Sequence, residues 1–272
     1  MKISVILTTY NWPEALELSL RSFMAQTDSN FEVVVADDGS KEPTRLLIEQ
    51  LRAVSPVPIL HAWQEDRGFR AAKARNEAVK LSSGDYLLFV DGDCMVGRDF
   101  VAAHRRHAEK GVVIAGQRIL ISEALASVLL ASPSKAESWS WCSSFSAVLK
   151  KWRSGGVNKI SPLVSCFGIA NRFCRRGWQR LRTCHCSLFK RDFLQVGGFD
   201  ESFEGWGQED SDLAIRLINA GVKLKLGYFG APVFHVWHPT HAKDASEEAP
   251  RLRLLRDRIE RRVTEPERSI FR

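Results

Sequence analysis

Three short apolar runs in the N-terminal third each stop at a polar cluster. Residues 2–7 end at Thr8-Thr9-Tyr10-Asn11, residues 31–36 at Asp37-Asp38-Gly39-Ser40, and residues 85–90 at Asp91-Gly92-Asp93. A continuous apolar run of this length suits a strand buried on both faces of a parallel sheet. The stretches between them have helical spacing. Pro13 opens one over 13–26 with Leu16, Leu18, Leu20 and Phe23 as its apolar face, and others span 42–53 and 70–81. A further short strand lies within 56–62. Strands alternating with helices at this spacing predict βαβ units, an α/β class and a mostly parallel central sheet flanked by helices. The polar clusters all fall at carboxyl ends of strands, where open α/β sheets bind ligands, so they are expected to converge on one crevice.

Asp91 and Asp93 stand one residue apart at the end of the most apolar of these runs. Two carboxylates so close repel unless a cation sits beside them, and a hard divalent ion carrying a diphosphate meets that need. Asp-Gly is also ordinary turn chemistry, so the motif acquires its meaning from the rest of the chain. A second cluster, Phe203-Glu204-Gly205-Trp206-Gly207-Gln208-Glu209-Asp210, leads into a helix over 208–220. Carboxylates in a first turn are stabilised by the helix dipole, which is the structural reading of Glu209 and Asp210. Two glycines beside an indole are nevertheless a costly helix entry. They suit an aromatic face left open for a sugar ring, with a carboxylate able to act as general base on a hydroxyl. The third cluster is His235-Val236-Trp237-His238, after a strand over 232–235. Either imidazole can join Asp93 on a metal, and manganese accepts mixed imidazole and carboxylate ligands better than magnesium.

Beyond residue 99 the alternation weakens. Residues 111–121 hold one or two strands, 123–182 form the least legible part, and 223–227 close the sheet. Leu252, Leu255 and Ile259 give residues 247–262 the spacing of a basic amphipathic helix. The net charge of +7 is uneven: no Asp or Glu occurs from 138 to 191. That stretch carries Lys150, Lys151, Arg153, Lys159, Arg172, Arg175, Arg176, Arg180, Arg182, Lys190 and Arg191, interleaved with Trp139, Trp141, Trp152 and Trp178. Cations among tryptophans suit an anionic membrane surface or a phosphorylated lipid, with a solvated basic surface as the plainer reading. No nucleic-acid recognition motif is present. No window has the length of a membrane span and the N-terminus reads as a strand, so the expected location is the cytoplasm, peripheral on the inner face of the membrane. The six cysteines are then expected to be thiols. Cys184-His185-Cys186 is tight for structural zinc and has no matching second pair.

The sequence resembles the family 2 glycosyltransferases, which share the GT-A fold. The resemblance rests on the runs over 3–11 and 33–40, Ala74-Arg75-Asn76, and residues 84–93, in order and spacing. Residues 197–200 and 205–210 are similar to the galactosyltransferase-type C-terminal half of chondroitin-polymerase-like and β-1,4-galactosyltransferase-like enzymes. The resemblance implies one GT-A domain over 1–240. Residues 1–100 would bind the nucleotide-sugar and 101–240 the acceptor, with a helical basic insertion at 120–182 and a basic helical tail at 241–272. It further implies a UDP-sugar donor held by Thr8, Tyr10, Asp38, Asp66, Arg70, Arg75 and Asp91. A divalent cation, Mn2+ or Mg2+, would sit on Asp93 and His235, with His238 as the alternative. Trp206 and Glu209 would hold the acceptor and Asp210 would be the catalytic base. The implied activity is metal-dependent, inverting transfer to a hydroxyl of a lipopolysaccharide core or another bacterial surface glycan or glycolipid. Two rivals are a sugar nucleotidyltransferase, which has no use for Gly205 to Asp210, and a non-catalytic glycan- or membrane-binding module, which leaves Asp91, Asp93 and Asp210 without purpose.

Overall fold

The computed structural model describes residues 1–163, 177–228, 230–239 and 245–271. Cys166, Cys174, Arg172, Arg175 and Arg176 of the basic stretch lie outside them.

The N-terminal alternation forms as expected. Strand β1 (Ile3–Thr9), helix α1 (Pro13–Met24), β2 (Phe31–Asp37), α2 (Glu42–Val54), β3 (Ile59–Trp63), α3 (Ala71–Leu81) and β4 (Tyr86–Asp91) follow in order. All seven residues of β2 are buried, as a strand covered on both faces must be. Pro13 occupies the first turn of α1, where its missing N–H costs nothing. β5 (Cys94–Val96), α4 (Phe100–His107), β6 (Val112–Ala115) and β7 (Arg118–Leu120) come next. Residues 111–121 therefore supply two strands.

The central sheet has seven strands in the order β3-β2-β1-β4-β8-β6-β9, where β8 is His185–Phe189 and β9 is Lys223–Leu226. β1 pairs parallel with β2 and β4, and β6 with β9, while β8 runs antiparallel between β4 and β6. The order reverses between β1 and β4, which places the ligand crevice at their carboxyl ends. A second sheet, β5-β10-β7, uses β10 (Val233–His235) and stands over that end.

The illegible stretch becomes α5 (Glu123–Leu130), α6 (Ala136–Trp139) and α7 (Phe145–Arg153), with a short 3-10 turn at Ser140–Ser143. These bury Ala126, Leu129, Trp141 and Val148 with Leu18 of α1 and with Met95 and Phe234 of the second sheet. Its helices could not be read from periodicity because each is short and buries only a few side chains.

After β8 come α8 (Lys190–Gln195), α9 (Glu209–Asn219) and α10 (Ala245–Glu260). The C-terminal segment packs closely on the rest of the chain. Arg258 is 2% exposed. It donates to Asp200 at 2.5 Å and pairs with Asp212 at 2.9 Å. Asp212 also holds Arg216 at 2.8 Å. Leu255 is buried with Phe203 and Ile215, and Phe271 meets Phe193 edge-on. Leu252 and Ile259, expected on the same inward face as Leu255, are exposed instead, because Arg258 takes the inward position.

Candidate active site

The crevice is built from turns that the strand ends force. After β4 the backbone N–H of Gly92 donates to the Thr8 carbonyl at 2.6 Å, and a Cβ at Gly92 would lie 2.7 Å from that oxygen. Only glycine lets the turn press this closely on β1, and that contact fixes where Asp93 points. Pairing of β5 with β10 sets His235 opposite Cys94, and the Val236 N–H donates to the Asp93 carbonyl at 2.9 Å.

Asp93, His235 and His238 converge, their ligand atoms all within 4.8 Å of one another. Each imidazole Nε2 lies 3.4 Å from Asp93 Oδ2. The choice left open between the two histidines resolves into a site that both line. His238 Nδ1 is 2.9 Å from the Pro239 carbonyl, which leaves Nε2 as the ring nitrogen that faces Asp93. Trp12 packs edge-on against His238 with ring centroids 5.8 Å apart. Burial pushes the Asp93 carboxyl up, but the His238 hydrogen bond and the two imidazoles outweigh it and hold it below the usual range. The Asp93 hydrogen bond raises His238 in turn. One carboxylate and two imidazoles this close fit a divalent transition ion such as manganese.

Arg75 is the hub between the two halves of the chain. It is 4% exposed, and Nε donates to Thr8 Oγ1 at 3.0 Å. Its two Nη atoms reach Glu209 at 3.1 Å and Asp91 at 3.3 Å. Burial opposes its charge, and the carboxylates of Asp91 and Glu209 more than restore it. Arg70 sits differently. It caps α3, its backbone N–H donates to Asp38 at 2.6 Å, and its guanidinium turns to the Glu65 carbonyl. Asp38 is buried, which raises it above the usual carboxylate range despite that bond and one from Gln64 at 2.5 Å. Tyr10 donates to Asp66 at 3.0 Å on the exposed rim.

The Gly-Trp-Gly segment is a left-handed turn. Gly205, Gly207 and Gln208 have φ of 85°, 101° and 75°. It leaves Trp206 half exposed at 50%. Two contacts secure it: the Gly205 N–H donates to the Phe69 carbonyl at 2.8 Å, and Arg251 of α10 donates to the Trp206 carbonyl at 2.5 Å. The turn delivers Glu209 and Asp210 to the first turn of α9. Burial, then the neighbouring Glu209, pushes the Asp210 carboxyl up to about 6. Arg182 lies 3.7 Å from it. Arg182 was legible only as part of the basic stretch, and nothing in the sequence marked Trp12 or Gln64.

Asp91, Asp93 and Asp210 all act on the buried Cys184 thiol, which burial first and these carboxylates next push up to about 12. Arg75, bonded to both Asp91 and Glu209, ties the end of β4 to the start of α9, where Asp210 follows Glu209. Cys184 and Cys186 alternate to opposite faces of the sheet and enter different core clusters. His185 between them uses its ring nitrogens on His104 and the Gln117 carbonyl, each at 2.9 Å.

The model of glycosyl transferase family 2 matches residues 4–198, about 70% of the chain. The chain belongs to this family. The model described as the N-terminal domain of galactosyltransferase matches residues 166–238, the part that carries Trp206, Glu209 and Asp210. The chain is 30% identical over 269 residues to the uncharacterized glycosyltransferase YfnE of Bacillus subtilis, covering 91% of this chain and 68% of that one. It is 31% identical over 234 residues to validoxylamine A glucosyltransferase of Streptomyces hygroscopicus, covering 82% of this chain and 52% of that one. The chain thus spans about half to two thirds of these relatives. Among solved structures, S. aureus TarS 1-349 in complex with UDP superposes with a TM-score of 0.63 at 19% identity, covering 94% of this chain and 64% of that one. A mannosyltransferase from Pyrobaculum calidifontis, in complex with GDP-Man and Mn2+, gives 0.55 at 16% identity, covering 95% and 61%. The fold is accordingly GT-A and the protein is a glycosyltransferase.

Proposed function

We propose that this transferase moves a sugar from a UDP-sugar to an acceptor hydroxyl with inversion at the anomeric carbon. The observation that supports this reading is the Arg75 bridge, which joins Asp91, next to the Asp93, His235 and His238 cluster, to Glu209 beside Asp210. The UDP and UDP-GlcNAc complexes of TarS support the choice of donor class.

Thr8, Tyr10, Asp38 and Asp66 line the nucleoside end, and Asp91 faces the ribose. Arg70 acts there through its backbone N–H on Asp38, whereas the Arg75 side chain holds Asp91 in place. Asp93, His235 and His238 would hold a divalent cation, which would supply positive charge to offset that of the departing diphosphate. Trp206 offers its exposed face to the acceptor ring and Glu209 accepts an acceptor hydroxyl, so the reacting oxygen arrives in line. Asp210 removes the proton from that oxygen as its bond to the anomeric carbon forms and the bond to the diphosphate breaks on the opposite face. A carboxyl raised to about 6 is mostly ionised at neutral pH yet basic enough to accept a proton.

The acceptor in this reading is a lipopolysaccharide core or another bacterial surface glycan, presented at an anionic membrane. The acid-free basic stretch supports it. None of the described helices is long and apolar enough to cross a membrane. The test is a thermal-shift screen of UDP-sugars with and without manganese, since a ligand of the folded state raises apparent stability. At least one UDP-sugar is expected to raise the melting temperature with manganese and to do so less after Asp93→Asn. No manganese-dependent shift from any of them contradicts the reading.

A further inference from the structure

The sequence offers two basic segments for a membrane, the acid-free stretch and the C-terminal helix. The structure separates them. On α10, Arg258 is buried in carboxylates and Arg251 is spent on the carbonyls of Glu204 and Trp206. Helix α7 is different. Val148 faces the core, while Lys151 covers the Trp141 ring at 4.9 Å. Phe145, Leu149 and Trp152 follow at spacings of four and three, so they form a single stripe beside the buried Val148 position. Phe145 is 53% and Trp152 43% exposed. Arg153 borders that stripe, Lys150 lies beyond Arg153 on the same side, and both are exposed.

At the N-terminal end of α7 lies a cavity of about 360 Å³, lined by Phe100, Phe145, Leu163 and Phe234, with Arg98, Asp99 and Arg106 exposed at its edge. Among the described residues neither guanidinium takes part in an ion pair. An apolar stripe and recess edged by Arg98, Arg106, Lys150 and Arg153, which outnumber the Asp99 carboxylate beside them, matches an interface of acyl chains beneath anionic headgroups. A soluble polyanion would use the cations and leave Phe145 and Trp152 without a role.

We propose that the outer face of α7, with the adjoining cavity and with Arg98, Arg106, Lys150 and Arg153, docks this enzyme on an anionic lipid bilayer. Docking gives a place to the membrane partner in the reading above. Its test needs neither donor nor acceptor, so its failure leaves the transfer chemistry standing, and failure of the chemistry leaves the docking standing.

The experiment is flotation of the full chain with phosphatidylcholine vesicles, with and without phosphatidylglycerol, at moderate salt. Melting temperatures are measured in parallel to confirm that each variant is folded. Wild type is expected to float only with phosphatidylglycerol. Arg98→Glu/Arg106→Glu is expected to lose at least roughly 30-fold in partitioning, since each cation near the surface is worth about fivefold. Phe145→Ser/Trp152→Ser is expected to lose tenfold or more, and Arg253→Glu/Arg256→Glu on α10 less than either. Three results overturn the proposal: no association with anionic vesicles, loss confined to the α10 variant, or full binding by Phe145→Ser/Trp152→Ser. The last would assign the contact to charge alone, as for a soluble polyanion. Should that variant fail to fold, the arginine pair decides, because both side chains are exposed.

Discussion

At the scale of single residues the account depends on two carboxyls with different environments. Asp93 is held ionised by imidazoles, whereas Asp210 is pushed up by burial to about 6. Asp210→Asn is expected to cut turnover by about 10²–10⁴-fold, with UDP affinity unchanged by calorimetry. In wild type kcat/KM should fall as pH drops below 6, because the base is then protonated. Stability moves the other way. A carboxyl raised on folding contributes most when protonated, below its unfolded value of about 4, and that contribution is lost as pH rises through 6. Asp210→Asn should therefore melt above wild type at pH 8 and level with it at pH 4. Arg75 carries the opposite balance. Arg75→Met leaves the buried Glu209 and the half-buried Asp91 without their cation and is expected to cost about 3–5 kcal/mol in denaturant unfolding. Much of this site was legible as residue types in order. The sequence could not say that Arg75 spends its donors on protein groups, or that both His235 and His238 approach Asp93, because each depends on contacts between distant segments.

Among the elements, the strand-end turns do the positioning. Strands β1, β2 and β4 were legible because burial on both faces leaves unbroken apolar runs, and their polar ends mark where the crevice must be. Helices α5 to α7 were not, because their inward sides are narrow and their core partners come from α1 and the second sheet. The turn after β4 gives a direct test. Gly92→Ala drives a methyl into the Thr8 carbonyl. It is expected to lower the melting temperature and weaken manganese binding, with Asp93 itself unchanged. A variant that melts normally and binds manganese as wild type does would remove the close approach of β4 to β1 as the cause of Asp93's position.

For the whole molecule, the two halves are joined by buried charge as well as by apolar contact. Arg75 ties α3 to α9, and Arg258 ties α10 to Asp200 and Asp212. The periodicity of residues 247–262 pointed to an amphipathic helix but gave no hint that an arginine would take its inward position, since that requires two carboxylates brought from elsewhere. Arg258→Leu strips Asp200 of its cation and leaves Asp212 with Arg216 alone, and should cost about 3–5 kcal/mol, read as a lower urea midpoint with the α9 end of the crevice loosened. The central claim is that one crevice holds the ion on one side and the proton acceptor on the other. An anomalous-difference map from crystals grown with manganese and UDP tests it most directly. The account predicts a manganese peak coordinated by Asp93, His235 and His238, with the diphosphate between it and Asp210. A peak elsewhere, or a diphosphate turned away from Asp210, would contradict it.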